Sequence, residues 1–246
     1  MMKKIMGAAL MIAAGFTTVV QADNGADMIE KNLKKIDARI QVKSIGDAPI
    51  SGMHEVELQS GEVVYSDSKG EYFLIGKLYQ FTDKDGFVNL TEKKQSAQRK
   101  EQIAAIPEEQ MVIYPAEGEL KATVNIFTDI DCPYCRKLHD EVPALTKMGV
   151  QVNYLAFPRN GAGTATYKNM VSIWCAEGDD KRREAMDVAK SGGNPEAKSC
   201  ENPVMDQLAL GQVMGVTGTP AMVLEDGRLL PGYVPAAQLG KMLGIK

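Results

Sequence analysis

Cys132 and Cys135 are the residues of this chain whose type and spacing most clearly indicate chemistry. They lie three positions apart in the stretch DIDCPYCRKLH, residues 129–139. Thiols at this spacing can bind a metal, form a structural disulfide or exchange reversibly with other disulfides. The compartment decides much of this, because thiols stay reduced in the cytosol and form disulfides in exported proteins.

The first 22 residues predict a secretory signal peptide. Lys3 and Lys4 precede the apolar run IMGAALMIAAGFTTVV, and small residues lead to a cleavage site at Ala22. The alternative is a membrane anchor, but the run is shorter than the roughly 20 residues that a spanning helix needs. We therefore expect the remaining chain in an exported compartment that permits disulfides.

The composition is that of an ordinary globular protein, with 44% hydrophobic and 24% charged residues in 246. The net charge is −4, and it becomes −6 when Lys3 and Lys4 leave with the signal peptide. An acidic chain of this kind is no obvious partner for nucleic acid or anionic membranes. The length suits one large domain or two smaller ones, and the internal pattern favours two.

Residues 23–89 predict a small, mostly antiparallel α+β module. A short helix near residues 28–36 precedes strand-like pieces separated by the turn signals IGDAP, QSGE, SDSKGE and TDKDG. Its expected core residues are Val56, Leu58, Val63, Tyr65, Phe73 and Ile75. So few apolar side chains make a module of this size marginal alone, and we expect it to pair with a second copy.

Residues 90–110 predict a helical linker. Thr91 is the expected N-cap, the following residues are polar nearly all round, and Pro107 should stop or kink the helix. Such a helix usually bridges domains through solvent. The alternative is an amphipathic helix with a narrow buried face around Ile103.

Residues 111–246 predict an α/β domain in which Cys132 starts a helix. The strand ATVNIFTDI, the helical segment CPYCRKLHDEVPALTKM and the strand VQVNYLAF form a βαβ unit. Further helical segments follow, and TPAMVLEDGRLLPG indicates a hairpin turning at Asp226-Gly227. Backbone N–H groups at the helix N-terminus would stabilise the Cys132 thiolate, and Pro133 suits the first helical turn.

The cysteines allow two other interpretations. A zinc site would need Cys175 and Cys200 as a second pair, but these are not arranged as a second CxxC motif. A purely structural Cys132–Cys135 disulfide is possible, yet a CxxC motif after a strand of a βαβ unit is the redox context. His139 could lend charge to the site or simply pack, and Asp129 and Asp131 could tune the thiols or be solvated.

The chain resembles the DsbC/DsbG family of periplasmic thiol:disulfide interchange proteins over the whole segment that follows the signal peptide. The resemblance is carried by MVIYPA, FTDIDCPYC, YLAFPR, IWCAEG, GVTGTPAMVL and PGY. It implies an N-terminal dimerisation domain joined by the helical linker to a thioredoxin-like domain with a helical insertion. It also implies a periplasmic location.

The resemblance implies roles for eight residues. Cys132 would be the attacking thiol and Cys135 the resolving thiol, with Thr219 and Pro220 forming a substrate-binding cis-proline loop. Cys175 and Cys200 would form a structural disulfide, which we expect to be buried because Cys175 follows Trp174 on an apolar helix face. Pro133 and Tyr134 would tune the redox chemistry. Here the chain departs from DsbC, which typically carries Gly-Tyr; Pro-Tyr is associated with DsbG, which usually lacks the second cysteine pair.

The first functional hypothesis is a disulfide isomerase/reductase that needs no cofactor or metal and acts on misoxidised exported proteins. The resemblance implies a V-shaped homodimer and a membrane thiol reductase of the DsbD type as electron donor. The second hypothesis is a thiol oxidase that donates its disulfide. The third is a chaperone-like binder of unfolded chains in an apolar cleft.

Overall fold

The computed structural model describes residues 24–245. The expected signal peptide, residues 1–22, lies outside the described residues. None of the helices in the described part is long and apolar enough to cross a membrane.

The N-terminal module is a helix packed on a small antiparallel sheet. Helix α1 (Asn24–Ile36) covers four strands in the order β1-β2-β3-β4: β1 (Val42–Asp47), β2 (Met53–Leu58), β3 (Val63–Asp67) and β4 (Phe73–Ile75). A separate hairpin follows, formed by β5 (Tyr79–Thr82) and β6 (Gly86–Asn89). The mostly antiparallel α+β character of this module is confirmed.

The core of this module is small, as its composition indicates. Ile29 and Leu33 of α1 pack against Val56, Leu58 and Val64 of the sheet. Val63 and Tyr65 are also buried, as predicted. The prediction is wrong for Ile75, which is 71% exposed, and Phe73 is only partly buried. Both lie on β4, an edge strand whose outer side pairs with no strand of the described chain.

Helix α2 (Leu90–Ala104) begins two residues earlier than a Thr91 cap would place it. Asn89 is the N-cap, and its side chain accepts a hydrogen bond from Glu92 N at 3.0 Å. Thr91 lies inside the first turn and is buried, where its hydroxyl accepts from Leu78 N at 2.8 Å and contacts Tyr65 Oη at 2.7 Å. The prediction of a Thr91 cap is wrong, because that hydroxyl joins the helix to the N-terminal module.

The polar face of α2 packs against the second domain instead of facing solvent. Ser96 and Arg99 are buried. Arg99 pairs with Glu92, and its Nε donates to Gly227 O at 2.7 Å. The solvent-bridging reading of this helix is wrong. The narrow buried face of the alternative reading is present, with Ile103 packed against the hydrophobic core of the second domain, but the most buried residues of the helix are polar. The helix ends before Pro107, as expected.

The second domain is a five-stranded sheet flanked by six helices. Its strands, in the order β11-β10-β8-β9-β7, are β7 (Val112–Tyr114), β8 (Ala122–Thr128), β9 (Val150–Ala156), β10 (Ala221–Leu224) and β11 (Leu229–Pro231). Its helices are α3 (Pro133–His139), α4 (Val142–Lys147), α5 (Ala165–Trp174), α6 (Asp179–Lys190), α7 (Val204–Val213) and α8 (Ala236–Met242). Strands β8 and β9 are parallel, which confirms the βαβ unit.

Both faces of the sheet are buried. Strand β8, which leads into the CxxC motif, is therefore held between two hydrophobic clusters. Val124 and Ile126 face one hydrophobic cluster, while Phe127 faces the other. The segment predicted as one helix after Cys132 is two helices, α3 and α4. Pro143 lies in the first turn of α4, where its missing N–H costs no hydrogen bond, so a new helix start accommodates it.

We predict that Arg99→Met lowers the free energy of unfolding by about 1 to 3 kcal/mol, because it leaves the Gly227 carbonyl and Glu92 without their buried partner. Urea denaturation measures this loss. Lys100→Met is the matched control, since Lys100 is the next residue of α2 and its side chain is exposed. An equal loss in both variants would show that the Arg99 contacts contribute nothing specific.

Candidate active site

Cys132 lies where strand β8 gives way to helix α3, as the sequence predicts. It is the N-cap of α3, and Pro133 is the first helical residue. Cys132 and Cys135 are both free thiols and are 2% and 1% exposed. Pro133 and Tyr134, which separate them, are exposed. The motif therefore turns its thiols inward and its intervening dipeptide toward solvent.

The loop before β10 closes over the Cys132 thiol. Cys132 Sγ donates to Thr219 O at 3.2 Å, and the Thr219-Pro220 peptide bond is cis. Burial acts to raise the pKa of Cys132, but the Thr219 side chain and the backbone N–H groups of Cys135 and Tyr134 outweigh it and hold that pKa below its usual value. Cys132 is therefore the thiol that ionises more readily.

Cys135 shifts in the opposite direction. Burial raises the pKa of Cys135, and the positive charge of Lys190 with hydrogen bonds from the Asp129 backbone and the Thr128 side chain offsets this only in part. The two thiols are consequently unequal at neutral pH. Cys132 is the more acidic of the two thiols and Cys135 the less acidic.

Lys190 is a site residue for which the sequence carries no signal. It is the last residue of α6, a helix rich in exposed charges, yet it is only 4% exposed. Its Nζ donates to Thr128 Oγ1 at 2.5 Å and to Asp129 O at 3.1 Å. Only the packing of α6 behind α3 brings this cation to the thiols.

Asp129 is buried and paired, which answers the question that the sequence leaves open. Its carboxylate accepts from Arg159 N at 3.0 Å and Arg159 Nε at 3.1 Å, and from Asp131 N at 2.7 Å. The Asp129 carboxylate therefore stabilises the turn that precedes the CxxC motif. Asp131 is exposed and pairs with Arg136. The stretch YLAFPR, noted for its resemblance, supplies Arg159.

His139 packs away from the thiols and does not supply charge to them. Its Nδ1 lies 3.1 Å from Tyr154 Oη and its Nε2 lies 3.0 Å from Asp187 Oδ1. Burial and the nearby charge of Lys190 lower the pKa of His139 below its usual value, so its ring is neutral at pH 7. This geometry favours the packing role over the electrostatic one.

Cys175 and Cys200 form a disulfide across a separation of 25 residues. It joins the end of α5 to the segment that follows α6. The expectation of a buried bond is wrong in part, because Cys175 is half-buried but Cys200 is exposed at the surface. Two cysteines bonded to each other cannot complete a zinc site with Cys132 and Cys135. Across residues 24–245, no three His, Cys, Asp or Glu side chains are grouped to hold a metal ion.

Comparisons with known proteins agree with this architecture. A family model described as the disulfide bond isomerase protein N-terminal domain matches residues 18–92, and a thioredoxin-like domain model matches residues 107–244. The thiol:disulfide interchange protein DsbC of Escherichia coli is 37% identical over 232 residues, covering 94% of this chain and 92% of that protein. DsbC of Salmonella typhimurium is 38% identical over the same shares. The chain belongs to the DsbC family.

Membership of the DsbC family confirms the fold class, an N-terminal disulfide isomerase domain followed by a thioredoxin-like domain. It makes the chain a thiol:disulfide oxidoreductase with a disulfide isomerase/reductase role. A solved structure, the thiol-disulfide exchange protein alpha-DsbA2 from Wolbachia pipientis, matches with a TM-score of 0.50 at 17% identity, covering 62% of this chain and 94% of that one. That likeness shows the thioredoxin-like fold alone.

We predict that the two thiols titrate on opposite sides of the free-thiol value of about 8.5. In Cys135→Ser the remaining Cys132 should ionise with a midpoint below that value, because its hydrogen bonds favour the thiolate. In Cys132→Ser the midpoint of Cys135 should lie above it, because burial disfavours the charge. The ultraviolet absorbance of the thiolate, followed against pH, measures both. Equal midpoints in the two variants would contradict the assigned asymmetry.

Proposed function

We propose that Cys132 is the attacking thiol and Cys135 the resolving thiol of a disulfide isomerase/reductase that acts on misoxidised exported proteins. The observation that supports this assignment is the asymmetry of the dithiol. Cys132 lies at a helix N-terminus against Thr219 with its pKa lowered, while Cys135 lies deeper with its pKa raised. Disulfide exchange needs one thiolate for attack and a second thiol for release.

The reaction cycle follows from these positions. The Cys132 thiolate attacks one sulfur of a wrong substrate disulfide, which forms a mixed disulfide and releases the other sulfur as a thiolate. A substrate thiolate can then attack the mixed disulfide, which rearranges the substrate and returns Cys132 reduced. Alternatively Cys135 attacks Cys132, which releases a reduced substrate and leaves the Cys132–Cys135 disulfide. Isomerisation has no net electron transfer, whereas the second route moves two electrons to the substrate.

Thr219 and Pro220 form the wall of the site on which a substrate chain would lie. The Thr219 carbonyl already contacts Cys132 Sγ, and Pro220 is buried beneath it. We assign these two residues to substrate binding, and Pro133 and Tyr134 to redox tuning. Cys175 and Cys200 are assigned a structural role, since their bond closes a loop remote from the dithiol.

When Cys135 resolves the mixed disulfide, the protein is left with a Cys132–Cys135 disulfide, and a reductant must return it to the dithiol. We propose a membrane thiol reductase of the DsbD type, and a periplasmic location reached through a cleaved signal peptide. The relatives include thiol:disulfide interchange proteins DsbC of Escherichia coli and Haemophilus influenzae, and this chain carries the expected leader pattern at residues 1–22. The alternative oxidase role predicts the opposite resting state, with the dithiol oxidised. Alkylation of the protein in cells, followed by a gel shift, separates the two states.

We predict that the reduced protein restores activity to scrambled ribonuclease and that Cys132→Ser abolishes this, because the attacking thiolate is lost. Cys135→Ser should keep the first attack and accumulate a mixed disulfide with substrate, visible on a non-reducing gel. That contrast is the internal control, since both variants lose one thiol of the same motif. Equal activity in wild type and Cys132→Ser would contradict the assignment.

We further propose a homodimer joined through the N-terminal module. Its edge strand β4 presents Leu74, 54% exposed, and Ile75, 71% exposed, beside unpaired backbone groups. The β5–β6 hairpin presents Phe81 and Phe87, 63% and 77% exposed. An open apolar strand edge on so small a module is stabilised by pairing with the same surface of a second chain.

We predict a two-chain mass by light scattering, and a one-chain mass for the double variant Ile75→Glu with Phe87→Glu, because two carboxylates would be buried in the interface. Leu120→Glu is the control, since Leu120 is also an exposed apolar residue, 55%, but lies in the catalytic domain. It should leave the mass at two chains. A one-chain mass for the unmodified protein at micromolar concentration would rule out the dimer.

A further inference from the structure

Lys190 is a buried cation that the reaction cycle above does not use. Its Nζ donates to two neutral oxygens, Thr128 Oγ1 at 2.5 Å and Asp129 O at 3.1 Å, and lies 5.5 Å from the centre of the Tyr154 ring. Thr128 is fully buried. An ammonium group in such a place is costly unless a negative charge compensates it.

The charge that compensates Lys190 most strongly is a thiolate of the site. Burial lowers the pKa of Lys190 to about 8, while negative charge on Cys135, Asp129 and Cys132, in that order, acts to raise it. The ammonium form still predominates at pH 7. Asp129 is already paired with Arg159, whose charge acts on Cys132 more than on Cys135. Lys190 is the cation that most strongly lowers the pKa of Cys135.

Thr128 gives the two groups a shared neighbour. Its hydroxyl accepts the Lys190 hydrogen bond at 2.5 Å, and the same side chain acts to lower the pKa of Cys135. Thr128 therefore lies beside both groups at the end of strand β8.

We propose that Lys190 is a positioning residue that places a fixed positive charge behind Cys135 and stabilises the Cys135 thiolate when it resolves a mixed disulfide. This inference rests on the proposed function of the dithiol. In the resolving step the Cys135 thiol gives its proton to water, and its sulfur attacks Cys132 Sγ. The Cys132–Cys135 bond forms, the bond from Cys132 to the substrate breaks, and the substrate sulfur leaves with the electron pair and takes a proton from water. Lys190 keeps its proton throughout.

The same charge should tune the redox equilibrium. In the oxidised protein neither sulfur carries a charge, so the buried ammonium keeps only the compensation of Asp129, whereas reduction allows a thiolate to form beside it again. Lys190 therefore favours the dithiol over the disulfide. The other charged or titratable groups around it are Arg136 and His139 on α3 and Tyr154 on β9. Arg136 repels Lys190 and is bonded to Ile130 O and Asp131. Arg159, the other cation that acts on the cysteines, is paired with Asp129.

We expect Lys190→Met to shift the equilibrium with glutathione about tenfold toward the disulfide, which is about 30 mV for a two-electron couple. Release of substrate from a preformed mixed disulfide should slow about tenfold in a single-turnover assay. Lys190→Arg keeps the charge and should restore most of both quantities. Lys137→Met is the matched control: it removes an exposed lysine of α3 whose Nζ lies over the Tyr233 ring, and both quantities should stay within twofold of wild type.

Near-ultraviolet circular dichroism checks that Lys190→Met is natively folded. If the folded variant has the same glutathione equilibrium and the same release rate as Lys137→Met, the proposal is overturned. If the variant does not fold, the wild-type protein provides the test. By linkage, the titration midpoint of the Lys190 amine, read from its side-chain carbon resonance, should lie about one pH unit higher in the reduced protein than in the oxidised protein. Equal midpoints would overturn the proposal. Loss of all exchange in wild type would instead contradict the assigned dithiol.

Discussion

A thiolate buried inside a protein needs hydrogen bonds and positive charge around it, and the catalytic domain is arranged to supply both. Strand β8 delivers Cys132 to the N-terminus of α3, where backbone N–H groups point at the sulfur. The loop at Thr219-Pro220 closes the other side. Behind the motif, α6 brings Lys190 against the end of β8. Each of these contacts comes from a different part of the chain, so the site exists only in the folded domain.

Where the two domains meet, the backbone of one domain approaches the backbone of the other very closely. A side chain at Gly227 would place its Cβ 1.8 Å from Ser96 O, and one at Gly61 would lie 1.8 Å from Val213 O. Only glycine permits these approaches, and both glycines also have positive φ. Arg99 then satisfies the Gly227 carbonyl in the space so formed. A mostly polar helix can therefore anchor one domain on the other, with Ile103 near its end adding an apolar contact.

The sequence was sufficient to predict the features that depend on local order. The CxxC motif at a strand-to-helix junction, the βαβ unit, the hairpin at Asp226-Gly227 and the antiparallel character of the first module all arise from short-range patterns. Lys190 and Arg99 could not be predicted, because each is a charged residue in a polar helix whose burial depends on what packs against it. Thr91 illustrates the same limit. It satisfies the rule for a helix cap, but a tertiary contact with Tyr65 uses its hydroxyl and Asn89 takes the cap.

The redox behaviour of the site depends both on residues that a sequence motif reveals and on residues that only the fold brings together. The dipeptide Pro133-Tyr134 is the readable difference from the Gly-Tyr typical of DsbC, yet both of its side chains are exposed, where water weakens their electrostatic effect on the sulfurs. The groups that face the sulfurs from within, Thr128, Lys190 and the Thr219 carbonyl, act in a less polarisable environment. Interactions between charges strengthen as water is excluded. The buried side of the site should therefore influence the relative stability of thiolate and disulfide at least as strongly as the residues between the cysteines, although it leaves no motif in the sequence.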